Sequence, residues 1–544
     1  MLIVVAMRAT RTSAPNILLV TLDTTRADHV GAYGYPLART PALDGLAREG
    51  VLFERALTSA PITLPAHASL LTGTYPFAHG VRNNGTFSLR DDAATLATVL
   101  HGNGYRTAAF VSAFVLDRRY GLARGFDVYD DRLPLERPGD QTGSRAVEWL
   151  RSAAASSAKA APFLLWLHLY DPHDPYTPPA RFLEEFPDRP YDGEIAFDDS
   201  VIGSVLSQLG QLGLESNTIV AVVGDHGESL GEHGESTHAV FVYESTLRVP
   251  MILRWPGQLP AGRRVKTSVR GIDLAPTLLD LAAAPPLPSA QGASLAPLMR
   301  GADAADVRPI YAESYFPQLY MNWAPLRSMQ DSRWKFIDAP APELYDLTSD
   351  SGERTNLIDR MPARAADLRR ALDQLTGGSA GTMAERRIDR DAAAKLAALG
   401  YVSAATPQTS IETDATRPDP KRMIDVFNAI RAANTALQQG RWDEAADMAR
   451  AALARDAKRL RHACAREREP RAGPLSRRAR RLSSVSGDRS HERRRPSSDG
   501  DLSCPPRQRG GRAERDGRRA RHRSALCRCA RPSRRSAGRA RTNR

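Results

Sequence analysis

From Asn16 onward, short apolar runs alternate with stretches of helical periodicity. "NILLVTLD" reads as a buried strand ending at Asp23. "TPALDGLAREG" reads as a helix, with Thr40 as N-cap, Pro41 at its first position and Gly50 just past its end. Further strands are predicted for "RTAAFV" (Arg106 to Val111), "FLLWLHL" (Phe163 to Leu169), "TIVAVV" (Thr218 to Val223) and "VPMILRW" (Val249 to Trp255), with helical patterns between them. Such alternation predicts an α/β fold, a mostly parallel sheet covered by helices. Downstream, "RSMQDSRWKFID" and "ELYDLTSDSGERTNL" predict short antiparallel strands in a small β-rich subdomain ending near Leu357.

Residues 358–421 are rich in Ala, Arg and Asp, with helical pieces such as "AAAKLAALGYV" and a Pro/Thr-rich linker near "TPQTSIETDATRPDP". Beyond the linker, Ala433, Ala436, Leu437, Ala445, Ala449, Ala452 and Leu453 set small and apolar positions on two amphipathic helices, with Gly440 in the turn between them. This hairpin is similar to one tetratricopeptide repeat and suggests a protein partner, with simple packing on the core as the plainer alternative. The chain divides into an N-terminal segment (1–15), an α/β core (16–300), the β-rich subdomain (301–360), a helical linker (361–421), a partial repeat (422–458) and an Arg-rich tail (459–544).

Charge separates the tail from the rest. Past Lys458 there are 28 Arg, no Lys, eight acidic residues and no aromatic, a net +20 against +13 for all 544 residues, so residues 1–458 carry a net −7. The four cysteines (Cys464, Cys504, Cys527, Cys529) also lie there, so the body holds no disulfide, thiolate nucleophile or cysteine metal site. A basic disordered tail that binds nucleic acid is one reading. The abrupt change inside a helical repeat, in a body with 41 Arg and six Lys, fits better with a GC-rich gene read in a shifted frame, and a nucleic-acid partner is expected only if the tail is genuine. "MLIVVAM" is short for a signal-peptide core and too short to span a bilayer, leaving localisation open, with a periplasmic or extracytoplasmic placement if translation starts upstream.

Candidate chemistry falls just after the predicted strands: Asp23 after the first, Asp171 and His173 after "FLLWLHL", Asp225 and His226 after "TIVAVV". Ligands of open α/β sheets bind outside the carboxyl ends of strands, so these segments are expected to converge. Asp23, Asp225 and His226 offer hard oxygen and imidazole ligands, suited to Ca²⁺, Mg²⁺ or Mn²⁺, or to Zn²⁺ in a His-rich set. Taken singly, each is as readily a helix cap or a turn former.

In order, "NILLVTLDTTRADHVGAYGY", "TPALDGLAREGVLFERA", "LPAHASLLTG", "DPHDPY", "VVGDHGESLGEHG", "YESTLRVPMILRWPG" and "ELYDLTSDSGERTNL" resemble the sulfatase family within the alkaline phosphatase superfamily, from about Asn16 to Leu357. The resemblance implies a doubly wound core, a divalent metal at the carboxyl end of the sheet, and sulfuryl or phosphoryl transfer through a covalent intermediate. Asp23, Asp225 and His226 then match metal ligands, the last standing where many sulfatases have Asn. Thr24 takes the place of a second acid. Thr63 occupies the nucleophile position and His67 that of an arginine. His173 and His238 match positions that contact the charged group, the latter usually Lys. No counterpart of the "GKWH"-like segment is evident near "FVSAFVLD".

Sulfatases oxidise Cys or Ser to formylglycine, and threonine cannot yield that aldehyde. Thr63 can instead act as an alkoxide beside a divalent cation, as in phosphatase-like members of the superfamily. Asp171, His173 and His238 are candidates for a second metal, or the two histidines simply hydrogen-bond substrate. Thr63 has a plainer alternative as a hydroxyl beside the helix "PAHASLLTG", whose N-terminus would favour an anion that His67 could also reach. The expected function is a sulfatase-like, metal-dependent hydrolase of an anionic ester on a small molecule, glycan or lipid, with phosphodiesters or phosphonates favoured over sulfates. The rivals are a phospho-group transferase and a non-catalytic binding protein.

Overall fold

The computed structural model describes residues 14–155, 161–302, 308–377, 390–398 and 417–455. The N-terminal apolar run, most of the Pro/Thr-rich linker and the Arg-rich tail lie outside them. Eight strands form the main sheet: β1 Asn16–Leu22, β2 Val51–Phe53, β3 Arg106–Phe110, β4 Val128–Asp130, β5 Phe163–Leu169, β6 Thr218–Gly224, β7 Met251–Arg254 and β8 Arg263–Val265. Their spatial order is β8-β2-β7-β6-β1-β5-β3-β4. Only β7 runs antiparallel to its neighbours.

The central strands are apolar on both faces because both faces are covered. Leu18, Val20 and Leu22 of β1 pack in one core with side chains of α1 (Pro41–Glu49), whereas Ile17 and Leu19 pack in the other with those of α2 (Thr63–Thr72). The helices α3 (Gly139–Ala155) and α4 (Pro190–Gln211) complete the first layer. This alternation along one strand is the doubly wound arrangement.

The strand expected over Val249–Trp255 is divided at Pro250. Arg248–Val249 pairs with Ala56–Leu57 in a separate three-stranded sheet, and Met251–Arg254 enters the main one. Proline has no N–H to offer a ladder, so the chain changes sheet there.

Two helix signals hold for reasons other than those expected. Thr40 is the N-cap of α1, but its hydroxyl accepts from Gly31 N at 3.0 Å and donates to Asp44 Oδ1 at 3.2 Å. The first amides of α1 are capped instead by Asp199 of α4, whose carboxylate oxygens accept from Ala42 N at 3.0 Å and Leu43 N at 2.8 Å. Gly50 ends the helix in extended backbone, φ −139°. Glycine is required there because a Cβ would lie 2.4 Å from the Leu253 carbonyl oxygen of β7.

The β-rich subdomain is an antiparallel meander of β9 Ile310–Ser314, β10 Leu326–Gln330, β11 Trp334–Asp338 and β12 Glu343–Asp346, with α5 (Pro362–Thr376) packed on it through Leu368 and Leu372. Fully buried Lys335 fastens it to the core, with Nζ 2.8 Å from Glu353 and 3.5 Å from Glu244. The helices α6 (Ile424–Gln438) and α7 (Trp442–Arg455) form the hairpin, turning at Gly440 with φ +74°. Ala433, Ala436, Ala445 and Ala452 are buried as expected, and Ala449 is half-buried. Leu437 is not inward, being 46% exposed, and the side chain of Leu453 lies outside the described residues. Among the described residues the hairpin is a single helix pair, with no array. Among them no helix is long and apolar enough to cross a membrane.

Asp199→Ala should destabilise the fold by about 1–2 kcal/mol through loss of the α1 cap, read by chemical denaturation. Gly50→Ala should cost about 1–3 kcal/mol, because the added methyl meets backbone that cannot move without shifting β7. A Gly50→Ala variant as stable as the parent would contradict the steric account.

Candidate active site

Strand register brings the first two acids together. Leu22 of β1 lies level with Leu169 of β5 and with Gly224 of β6. The next residues continue the pairing, with Asp23 N donating to Leu169 O at 2.9 Å and Asp225 N to Leu22 O at 3.0 Å. The ligand atoms of Asp23, Asp225 and His226 all fall within 4.8 Å of one another, and all three residues are fully buried. Neither Asp23 oxygen has a hydrogen-bond partner, nor has Asp225 Oδ2. Burial pushes both carboxyls up, and at Asp225 the neighbouring Asp23 adds to it.

His226 completes the group. Its Nδ1–H donates to Gly227 O at 2.9 Å, so Nε2 presents a lone pair. Burial pushes its pKa down to about 4, keeping the ring neutral near pH 7. Nε2 sits 3.6 Å from Asp225 Oδ2, 3.9 Å from Asp23 Oδ1 and 3.4 Å from Thr63 Oγ1. Two buried carboxyls with orphaned oxygens facing an imidazole lone pair fit a divalent cation, whose charge removes the penalty of keeping them together.

Thr63 is the first residue of α2, after the N-cap Ile62, and its hydroxyl does not cap the helix. Asn84 does that, with Oδ1 accepting from Leu64 N at 2.8 Å. The plainer reading of Thr63 as a helix cap is thus not what the geometry shows. Fully buried Asn84 keeps an unpartnered Nδ2, as does its neighbour Asn83. Sequence reading passed over this pair, since Asn-Asn-Gly looks like an ordinary turn.

His67 is engaged at both nitrogens. Its Nδ1–H donates to Thr63 O at 2.8 Å, and its Nε2 accepts from Thr21 Oγ1 at 3.0 Å. The Thr21 hydroxyl in turn accepts from Trp166 Nε1 at 2.9 Å. Burial holds the ring neutral, with its pKa well below the usual imidazole range. In place of the anion contact expected of it, His67 stands as a post that fixes the Thr63 backbone. His168, missed because it sits inside an apolar strand, accepts from Ser112 N at Nδ1 (3.3 Å) and so carries its proton on Nε2, 3.5 Å from Asp23 Oδ2.

Thr24 and Asp171 fall outside the ligand group. Thr24 has a left-handed backbone, φ +47°, and its hydroxyl donates to Pro172 O, tying the β1 turn to the "DPHDPY" loop. Asp171 turns away, its Oδ2 accepting from Gly139 N at 2.9 Å at the start of α3. A second metal on Asp171, His173 and His238 therefore lacks its carboxylate, although the two histidines do meet, with ring centroids 5.0 Å apart. His238 lies 4.6 Å from His226 and bonds Glu228 Oε1 through Nδ1 at 3.1 Å. His173 donates from Nδ1 to Asp174 O at 2.8 Å, and its buried Nε2 has no partner.

Residues 15–284 match the family model described as Sulfatase, and residues 231–376 match that of the N-sulphoglucosamine sulphohydrolase C-terminal region. The Δ4,5-hexuronate-2-O-sulfatase of Bacteroides thetaiotaomicron is 25% identical over 461 residues, which cover 72% of this chain and 95% of that protein. Two solved structures share the fold. The phosphonate monoester hydrolase of Agrobacterium radiobacter aligns with a TM-score of 0.58 at 21% identity, covering 67% of this chain and 96% of its own. A protein solved in complex with its substrate D-glucosamine-2-N,6-O-disulfate aligns with a TM-score of 0.58 at 20% identity, covering 67% and 98%. With its buried acids, imidazole and helix-borne hydroxyl at the carboxyl end of a doubly wound sheet, the chain belongs to the sulfatase family and is an ester hydrolase of that family.

Proposed function

We propose that the chain hydrolyses phosphodiesters or phosphonate monoesters through a covalent ester on Thr63. The observation that carries this reading is the Thr63 hydroxyl itself. It is fully buried, released from capping by Asn84, and set 3.4 Å from His226 Nε2. A secondary alcohol cannot be oxidised to the formylglycine aldehyde on which sulfate-ester cleavage in this family depends, but it can attack phosphorus directly.

Asp23, Asp225 and His226 would hold a divalent cation (Ca²⁺, Mn²⁺, Mg²⁺ or Zn²⁺), which would supply positive charge to acidify a neighbouring hydroxyl and neutralise ester oxygens. The remaining work falls to the chain. His67 and Thr21 hold the Thr63 backbone, and the Asn84 amide, bonded through its oxygen, keeps Nδ2 free to donate to an ester oxygen. In the first half-reaction the Thr63 Oγ1–phosphorus bond forms while the bond to the departing alcohol breaks. One proton passes by way of water from the Thr63 hydroxyl to the departing alcohol, which leaves neutral. In the second, water attacks phosphorus, the threonine ester breaks and Thr63 regains a proton.

The hexuronate sulfatase relative supports a carbohydrate as the esterified alcohol and keeps sulfate esters as the second reading.

Thr63→Ala should lower kcat by at least about 10³-fold on aryl phosphodiester and aryl phosphonate substrates, with Thr63→Ser recovering part of it. Thr63-dependent release of sulfate from an aryl sulfate at a higher kcat/KM would overturn the phosphorus preference, and activity independent of Thr63 would overturn the nucleophile. Asp225→Asn should lose the bound divalent metal by elemental analysis with its far-ultraviolet circular dichroism intact, while Thr63→Ala should keep the metal.

A further inference from the structure

The C-terminal hairpin is not docked at an arbitrary place. Ile424, Asn428 and Arg431 fall at i, i+4 and i+7 of α6 and so share one face. Ile424 packs on Gly234, where a Cβ would lie 3.3 Å from its Cγ2. Asn428 donates from Nδ2 to Gly234 O at 2.7 Å and accepts at Oδ1 from Ser236 Oγ at 3.0 Å. One turn on, the Arg431 guanidinium pairs with the Asp174 carboxylate. The stripe therefore joins the loop leading to His238 with the loop that carries His173. Phe427 anchors the helix against Phe316, ring centroids 5.7 Å apart.

The charge supplied there is one the core does not provide. The two positions where the family pattern has Arg and Lys hold His67 and His238, whose rings burial keeps neutral. His173 is likewise pushed down to about 3, chiefly by burial, and the positive charge of Arg431 presses His173 and His238 in the same direction. Its own side chain is 23% exposed, so Arg431 stays open to solvent while paired with Asp174 on the His173 loop.

We propose that Arg431 is a substrate-binding residue, its guanidinium at the rim of the active site taking the negative charge of the incoming ester, so that the appended helix is part of the catalytic centre. A guanidinium suits this because its planar fork can hold two anionic oxygens at once. Asp174 keeps it oriented and competes with the ligand. The inference rests on the Thr63 reading, since it assumes that the anion is bound for reaction beside His173 and His238.

The test uses the full chain, with inorganic phosphate as competitive probe and an aryl phosphodiester as substrate. Arg431→Ala should raise KM and the phosphate inhibition constant about tenfold or more while kcat changes less than about threefold, and Arg431→Lys should recover part of the loss. Asp174→Asn separates binding from mere docking. A binding guanidinium freed of its competitor holds phosphate as tightly as the parent or more so, whereas a structural ion pair makes Asp174→Asn lose as much as Arg431→Ala. That loss, or constants within about twofold of the parent in Arg431→Ala, overturns the inference while leaving Thr63 untouched. Full activity in Thr63→Ala overturns the underlying reading, and the inference with it, whatever Arg431 does. Calorimetric titration of phosphate into Thr63→Ala and into the Thr63→Ala/Arg431→Ala double variant reads binding without turnover, and equal affinities there overturn the inference as well.

Discussion

Everything at the carboxyl end of the sheet depends on two fully buried aspartates being forced side by side. The level ending of β1, β5 and β6 leaves no freedom in the matter. Once Leu22 pairs with Leu169 and Gly224, the following backbone bonds put Asp23 and Asp225 in adjacent buried positions. Two carboxyls in such a place either hold protons or share a cation. The surroundings favour the cation, because His226 presents a lone pair and the orphaned oxygens meet no donor of ordinary hydrogen-bond geometry. His168 faces Asp23 from 3.5 Å with its proton on the near nitrogen, and so offers no lone pair to a cation there.

A second layer fixes directions. Trp166, Thr21, His67 and Thr63 form one chain of hydrogen bonds in which each donor is determined by the one before it, from indole N–H to the carbonyl of Thr63. Such a chain sets the tautomer of His67 and holds the first turn of α2 against β1. The hydroxyl of Thr63 is left out of it and faces His226 Nε2 at 3.4 Å.

How far this could be read from the chain depended on distance along it. Asp23, Asp225 and His226 were legible because each follows an apolar run that must be a strand, and strands of one parallel sheet end together. The doubly wound core was legible for the same reason. What could not be read were partners chosen by packing. Asp199 caps α1 across 156 residues, and no local signal distinguishes it from the threonine that looked like the cap. Thr21 and His168 sit within central strands whose unbroken burial hides which face each side chain takes. Asp171 looked like a ligand from its place after β5, but its carboxylate was claimed by an amide of α3. Arg431 stood in a segment whose small-residue pattern pointed outward to partners rather than inward to a site.

Arg431 and Asp174 are separated by 257 residues, and the helix that joins the two histidine loops is among the last described parts of the chain. During synthesis the sheet, Thr63 and all three metal-type residues leave the ribosome well before that helix does. The order of synthesis thus delivers the buried acids and the imidazole before the helix whose Arg431 ties the two histidine loops together.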